Sequence, residues 1–169
     1  MDYQARILPT RDMLRRMPHE LSDETDVEGI ELMLNLLTAA DGVRSRVSAQ
    51  LAAFDLSEGK FSLLMALFGE GPMGTLKLSE RIGVKPSTVS VMVKRMTSDA
   101  EPLVAVTSGE ADRRERVIAL TAAGRRRVEA ALPGHLTELR RFSSQLQPDE
   151  RGNLIRLLQR LQTLTSPKK

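Results

Sequence analysis

The stretch between residues 76 and 120 constrains the fold of this chain more than any other. Gly83 permits a tight turn there, and Pro86 fits the first turn of a helix because its missing N–H costs nothing at that position. On either side of this break lie two helix patterns and then two β-prone runs, at Leu76–Ile82, Pro86–Met96, Leu103–Thr107 and Arg116–Leu120. Helix, turn, helix and hairpin in this order predict a winged helix-turn-helix.

The second helix of this stretch has the composition of a helix that reads duplex DNA. Val89, Val93 and Met96 share one face, which we expect to be buried. The other positions, together with the residue before the helix, carry small polar, apolar and cationic side chains that suit a major groove: Lys85, Ser87, Thr88, Ser90, Val91, Lys94 and Arg95. Without the preceding turn and the following hairpin, an ordinary solvated helix surface would be the favoured interpretation.

Arginines cluster between the two β-prone runs. A hairpin of this length buries little surface, so we expect its tip to be solvated or bound. The side chains that we expect to reach phosphates or the minor groove are Asp112, Arg113, Arg114 and Arg116. Among them, Asp112 is placed to orient one arginine through a charge-assisted hydrogen bond.

Positive charge is concentrated in the same part of the chain. The net charge is only +3, but residues 75–127 carry eleven Lys or Arg against six Asp or Glu. A basic module on a nearly neutral body indicates a polyanionic partner. Charge alone would favour an ordinary solvated surface, so this interpretation depends on the helix-turn-helix pattern.

Long helix patterns flank the winged module. Apolar residues at spacings of three and four predict a helix from 25 to 54, too long to bury against one small domain. A helix from 122 to 146 is expected to kink or break briefly at Pro133, and a leucine-striped helix follows from 148. Ser57, Thr75 and Thr121 are expected to cap helices.

Composition excludes several other classes of protein. Hydrophobic residues make up 41% of the chain, but aromatics only 3%, which favours packed helices over a β-sandwich. The absence of Cys excludes disulfides and thiolate metal sites. No apolar run approaches a membrane span of about 18 residues, and no signal peptide is recognisable, so we expect a cytoplasmic protein without a membrane partner.

No pattern in the chain predicts an enzyme. There is no Gly-rich phosphate loop, no His-x-x-x-His and no ordered nucleophile and base. We therefore expect no catalytic residues, no cofactor and no metal. The predicted fold class is mainly α, an α+β winged helix-turn-helix with a helical dimerisation region, about six helices and one β-hairpin wing. The predicted domains are an arm at 1–24, a dimerisation helix at 25–56, the winged helix-turn-helix at 57–121 and C-terminal dimerisation helices at 122–165.

The order of short motifs resembles the MarR family of bacterial transcription regulators, from about residue 26 to residue 164. The pieces that carry the resemblance are Leu56-Ser57-(x3)-Phe61, Leu78-(x3)-Ile82-Gly83-Val84, Pro86-Ser87-Thr88-Val89-Ser90, Val93-(x2)-Met96, Leu103-Val104, Asp112-Arg113-Arg114 and Leu120-Thr121-(x2)-Gly124. No single piece is specific, whereas their order and spacing together are.

The resemblance implies a homodimer that binds double-stranded DNA at a palindromic operator, usually as a repressor. The helix Pro86–Met96 would enter the major groove, and Arg114 would reach the minor groove, braced by Asp112. The dimer interface would include Val27, Ile30, Leu34, Leu154, Leu157, Leu158 and Leu161. Family members commonly release DNA when a small phenolic or anionic molecule binds where the dimer helices meet the winged lobe. That effector pocket would draw on Leu37, Arg44, Phe54, Phe61, Met65 and Phe68.

Two departures from the family pattern and two alternatives remain. Lys85 stands where the family often has a capping Ser or Asp. Between Met96 and Leu103 the chain reads Thr-Ser-Asp-Ala-Glu-Pro, where the family usually has a Gly, so we expect the exit from the second helix to differ. The phenylalanines between 54 and 68 could form hydrophobic core instead of a pocket wall, and the chain could be an effector-independent DNA-binding or architectural protein.

Overall fold

The computed structural model describes residues 27–108 and 116–165. The predicted N-terminal arm and the wing-tip residues Asp112, Arg113 and Arg114 lie outside the described residues, and the predictions for them stay predictions. The chain divides into two compact units, residues 1–46 and residues 47–169, and each is considered by itself below.

The described residues form six helices and three strands. In chain order these are α1 (Val27–Ala52), α2 (Glu58–Glu70), β1 (Met73–Gly74), α3 (Thr75–Ile82), α4 (Pro86–Ser98), β2 (Val104–Ser108), β3 (Arg116–Leu120), α5 (Ala122–Ser143) and α6 (Pro148–Thr165). The predicted fold class, mainly α with a winged helix-turn-helix, is confirmed. Within the described ranges, no helix is both long enough and apolar enough to cross a membrane.

In the first unit, the described residues belong to the N-terminal part of α1. The amide of Asn35 donates to the carbonyl of Glu31 one turn earlier. Large apolar side chains stay exposed on this part of the helix, namely Ile30, Leu32, Met33 and Leu37. An apolar surface of this kind is rarely left in contact with water over a large area.

In the second unit, one hydrophobic core joins the end of α1 to the winged module. Its largest fully buried side chains come from five helices and two strands: Leu51, Leu63, Leu64, Leu78, Val89, Met96, Val104, Ile118 and Val128. Because Val89, Val93 and Met96 all lie in this core, the predicted buried face of α4 is confirmed. The core therefore fixes which side of α4 faces solvent.

Helix ends follow local chemistry at three predicted positions. The side chain of Ser57 accepts a hydrogen bond from the Lys60 amide, and the side chain of Thr121 accepts one from the Gly124 amide. Gly83 ends α3 in the left-handed conformation, with φ 68°. The cap predicted at Thr75 is wrong, because Gly74 occupies the N-cap position and Thr75 is already helical.

A three-stranded antiparallel sheet, in the order β1-β3-β2, carries the wing. Residues 104–108 pair with 116–120 in register, and Ile118 also pairs with Met73 of β1. The sequence predicted β2 within one residue and β3 at the observed bounds, but the breaker cluster around Gly74 hid β1. Pairing of Met73 and Gly74 with β3 explains why Gly74 is extended immediately before α3.

Helix α5 runs without interruption through Pro133 and ends at Ser143. Of the predicted kink or brief break at Pro133, the break is therefore wrong, and the helix ends three residues before the predicted bound. Proline removes one backbone hydrogen bond at its own nitrogen. In the turn that follows, the Thr137 hydroxyl donates a side-chain hydrogen bond to the Pro133 carbonyl at 2.9 Å.

Candidate nucleic-acid interface

Because one face of α4 is buried in the core, the opposite face is exposed to solvent. Val89 and Met96 are fully buried, while Ser87, Thr88, Ser90, Lys94 and Arg95 are exposed. Val91 is also exposed, at 51%. An exposed valine among hydroxyls and cations suits a base edge, because it can contact a thymine methyl group.

The start of α4 presents cationic and hydroxyl groups. Lys85 is the N-cap residue, but its side chain makes no capping hydrogen bond, and Pro86 follows in the first turn. The carbonyl of Lys85 accepts from the amides of Thr88 and Val89, so the backbone begins the helix without side-chain help. The Ser90 hydroxyl donates to the Pro86 carbonyl at 3.1 Å, which leaves its oxygen outward-facing lone pairs as acceptors.

One of the predicted wing residues falls within the described chain. Arg116 begins β3, pairs in register with Ser108 and is exposed. It also lines a groove of about 670 Å³ with Thr75, Leu76 and Lys77 at the start of α3. The base of the wing and the start of the helix-turn-helix therefore share one groove, whose charged lining residues are Lys77, Glu80 and Arg116.

Three cations of the basic segment point to partners within the chain. The Arg125 guanidinium lies 5.1 Å from the centre of the Phe68 ring. Arg126 Nη2 lies 2.7 Å from a Glu101 carboxylate oxygen, and Arg127 Nη1 donates to the Phe54 carbonyl at 2.7 Å. The charge count of residues 75–127 therefore overstates the positive charge that this surface offers.

The residues predicted for an effector pocket fall in different places. Phe61 and Met65 line a cavity of about 380 Å³ in the second unit, together with Val47, Leu51, Glu58, Ser62, Leu132, His135 and Leu136. Phe54 lines a separate depression of about 330 Å³, and Phe68 lies against Arg125. Leu37 and Arg44 belong to the first unit. Binding of a ligand at these residues stays a prediction.

Sequence reasoning missed the polar groups near this cavity. The His135 ring lies against the Phe61 ring at 4.8 Å between centroids and tilted by 54°, and its Nδ1 atom is buried without a hydrogen-bond partner among the described residues. The Ser48 hydroxyl donates to the carboxylate of Glu58 at the cavity wall. In the sequence, His135 and Ser48 are indistinguishable from ordinary helix residues, because their partners Phe61 and Glu58 lie on another helix.

The residues predicted for a dimer interface carry apolar side chains at or near the surface. Ile30, Leu154 and Leu157 are exposed at 38%, 41% and 53%, whereas Leu34, Leu158 and Leu161 are half-buried. Val27 begins α1, and its side chain is outside the described set. Ile155 of α6 is exposed as well, at 55%, although it was not predicted.

Comparison with known proteins gives the class of the chain. Residues 63–100 match the family model described as iron dependent repressor, N-terminal DNA binding domain, which covers the helix-turn-helix and less than half of the chain. In the described ranges, no group of three or more His, Asp or Glu side chains could hold a metal ion. The HTH-type transcriptional repressor YetL of Bacillus subtilis is 27% identical over 135 residues, which are 79% of this chain and 80% of YetL.

Solved structures share the fold over most of the chain. Sco3205, a MarR family transcriptional regulator from Streptomyces coelicolor solved in complex with DNA, superposes with a TM-score of 0.77 at 19% identity, over 87% of this chain and 95% of that one. Bordetella bronchiseptica BpsR, whose DNA binding is regulated by 6-hydroxynicotinic acid, gives 0.69 at 23% identity, over 83% and 98%.

Fold and motif order together define a winged helix-turn-helix protein. Its fold is similar to that of MarR family transcriptional regulators, and the relative YetL is an HTH-type transcriptional repressor.

Proposed function

We propose that this chain regulates transcription by binding duplex DNA, with α4 in the major groove. The observation that carries the proposal is the outward face of α4. The core holds Val89, Val93 and Met96, so the hydroxyls, the valine and the cations on the other side are free of the lobe. Side chains of this kind read base edges and phosphates. The proposed contact residues are Lys85, Ser87, Thr88, Ser90, Val91, Lys94 and Arg95.

The wing supplies the second proposed contact. Arg116 at its base is exposed beside Lys77 and Thr75. Arg113 and Arg114 would extend from the tip to phosphates or the minor groove, with Asp112 orienting one of them. These contacts would fix the register of the lobe on the duplex rather than read its sequence.

We further propose that the chain acts as a homodimer on a palindromic operator. Exposed leucines and isoleucines on α1, and others on α6, support this, because an apolar surface on either helix is stabilised when a second subunit covers it. The predicted interface residues lie on these two helices. A two-fold dimer presents two α4 helices to two half-sites, which makes the operator a palindrome.

Repression and release by a small molecule complete the proposal. YetL is named as a repressor, and the DNA binding of BpsR is regulated by 6-hydroxynicotinic acid. In this chain the cavity between Phe61, Met65 and His135 is large enough for one aromatic ring system. Such a protein would work in the cytoplasm, where the bacterial chromosome lies.

Selection of bound fragments from genomic DNA, followed by anisotropy titrations against salt, tests DNA binding. We expect selective binding with an affinity that falls steeply as salt rises, because cations on α4 and the wing displace counterions. Indifference to duplex DNA at low ionic strength would overturn the proposal. A thermal-shift screen against aromatic acids tests the effector. If no ligand both stabilises the protein and weakens DNA binding, the regulator is effector-independent.

A further inference from the structure

Arg127 joins two segments that are distant in the sequence. Its Nη1 atom donates to the carbonyl of Phe54 at 2.7 Å, and its Nη2 atom lies 3.9 Å from an oxygen of Glu101. We call Phe54, Glu101 and Arg127 the Arg127 node. Glu101 lies in the segment where the chain departs from the family pattern, and no predicted DNA contact involves the node.

The Glu101 side of the node lies in the segment by which the chain leaves α4. Glu101 follows the end of α4 at Ser98 by three residues. The next residues are tied to both flanking helices, because the Pro102 carbonyl accepts from the Thr121 hydroxyl at 2.6 Å and the Leu103 amide donates to the Met96 carbonyl at 3.1 Å. A shift of this exit segment would therefore tilt α4.

The Phe54 side of the node is the turn between α1 and α2. Amides of Phe54 and Leu56 both donate to the Leu51 carbonyl, at 3.0 and 3.2 Å. Asp55 between them has φ 55°, a backbone conformation that costs free energy for a non-glycine residue. The turn is therefore held in one shape, and its Phe54 carbonyl is a fixed anchor for Arg127.

Arg127 and its neighbour Arg126 differ in their surroundings. The Arg126 side chain is 66% exposed and forms an ion pair with Glu101, whereas the Arg127 side chain is only 29% exposed. Exposed ion pairs contribute little to stability, but a charged hydrogen bond to a half-buried carbonyl contributes more. Only a guanidinium has several donors in a rigid fork, so a lysine cannot reach both partners in the same way.

We propose that Arg127 is a positioning residue for DNA binding, which fixes the exit of α4 against the turn between α1 and α2. The inference rests on the proposed DNA-binding function. Arg127 acts through α4 and does not touch DNA, although its place in the basic segment makes it look like a phosphate contact.

The test compares R127K and R127M with wild type in anisotropy titrations of one selected operator at several salt concentrations. We expect both variants to bind about tenfold more weakly. The slope of log affinity against log salt should stay unchanged, because no phosphate contact is lost. R127K keeps the positive charge and most of the aliphatic part of the side chain, so R127K alone can be compared with wild type if R127M fails to fold.

R126M is the matched control, with the same change of charge as R127M. It removes the exposed Arg126–Glu101 pair at 2.7 Å and keeps the bond from Arg127 to the Phe54 carbonyl. We expect its affinity to stay within about twofold of wild type. Three outcomes would overturn the inference: wild-type affinity in R127K, a salt slope lowered by about one in R127M, or equal losses in R126M and R127M.

A readout without DNA separates this inference from the proposed function. We expect the Leu103 amide, which is bonded to Met96, to exchange with deuterium several times faster in R127K than in wild type. Unchanged exchange at Leu103 would contradict the positioning role even if DNA binding were lost. If wild type bound no DNA while R127K still accelerated exchange, the proposed function would fail and the Arg127 node would stand.

Discussion

Gly124 has less room for a side chain than any other described glycine. A Cβ atom at this position would lie 2.0 Å from the Leu103 carbonyl oxygen and 3.0 Å from its carbon. That backbone cannot move aside easily, because the same carbonyl accepts from the Thr121 amide and the Leu103 amide is bonded to Met96. The first turn of α5 and the exit of α4 therefore approach as closely as a residue without a side chain allows.

We expect Gly124→Ala to lower the free energy of unfolding by about 3 kcal/mol, because the added methyl forces a backbone shift in a packed region. Urea denaturation monitored by circular dichroism measures the change. Gly69→Ala is the matched control, since nothing lies within 4 Å of a Cβ there, and helix propensity should stabilise it by up to about 1 kcal/mol. Similar midpoints for the two variants would contradict the close approach.

Lys94 lies on the outward face of α4, and we expect Lys94→Ala to weaken DNA binding about equally on different sequences. The salt slope should fall by about one, because one phosphate contact is lost. Anisotropy titrations on the selected operator and on a scrambled duplex measure both effects. Arg140→Ala, an exposed cation near the end of α5, should leave the slope unchanged. A slope that stays constant in Lys94→Ala would remove this residue from the interface.

Sequence reasoning succeeded at residues whose chemistry is local. Gly83 at the turn, Ser57 and Thr121 at helix starts, and the buried face of α4 follow from spacing and from bonds within a few residues. The partners of Arg127 could not be predicted, because the Phe54 carbonyl is 73 residues away in the chain. The cap at Thr75 failed for a related reason, since pairing with β3 sets the helix start one residue earlier.

At the scale of elements, α2 connects the cavity to α4. Phe61 and Met65 face the cavity. On the preceding turn, a Cβ at Gly59 would lie 3.3 Å from Met92 Cε, and Lys60 Nζ lies 3.8 Å from an Asp99 oxygen. Helix α2 therefore contacts both the cavity and α4. The sequence indicated apolar residues in α2 but not that its first turn lies against α4.

Helix α5 keeps a proline in its interior, and we expect Pro133→Ala to stabilise the protein. The substitution restores a backbone donor, and proline in a helix interior is less favourable than alanine by about 3 kcal/mol. Part of this gain is offset because the helix is already adapted to Pro133, so we expect a rise of about 1 kcal/mol.

Thermal denaturation of Pro133→Ala and Gly134→Ala measures this effect. A Cβ at Gly134 would lie 2.5 Å from Gln50 Nε2, which donates to the Ala131 carbonyl at 3.1 Å. Gly134→Ala should therefore displace the Gln50 side chain and gain less than Pro133→Ala. A lower melting temperature for Pro133→Ala would show that the proline is needed for the path of α5.

At the scale of the molecule, apolar side chains on α1 and α6 remain uncovered within one chain. Leu37 and Leu157 are exposed at 57% and 53%. Scattered exposed leucines are normal on protein surfaces, but a stripe of them along a helix marks an interaction surface. The sequence predicted both stripes from their periodicity. It could not indicate how much of each stripe the chain itself covers, because that depends on tertiary packing.

We expect Leu157→Glu to convert a dimer into monomers, because burying an unpaired carboxylate in an apolar interface is unfavourable. Light scattering coupled to size-exclusion chromatography measures the mass. DNA affinity should fall at least tenfold, since the two half-sites would then bind separate chains. Leu76→Glu, an equally drastic change at a residue that is 65% exposed on α3, should leave the mass unchanged. A wild-type protein that is already monomeric would refute the interface.

The internal partners of the three consecutive arginines in α5 affect how binding data should be read. A scan that replaces each cation with alanine and records lost affinity would mark Arg127 together with the cations of α4 and the wing. The DNA-binding surface inferred from such a scan would then wrongly include α5, which only positions the residues that contact DNA. The salt dependence of the affinity, measured for each variant, distinguishes residues that position α4 from residues that contact phosphates.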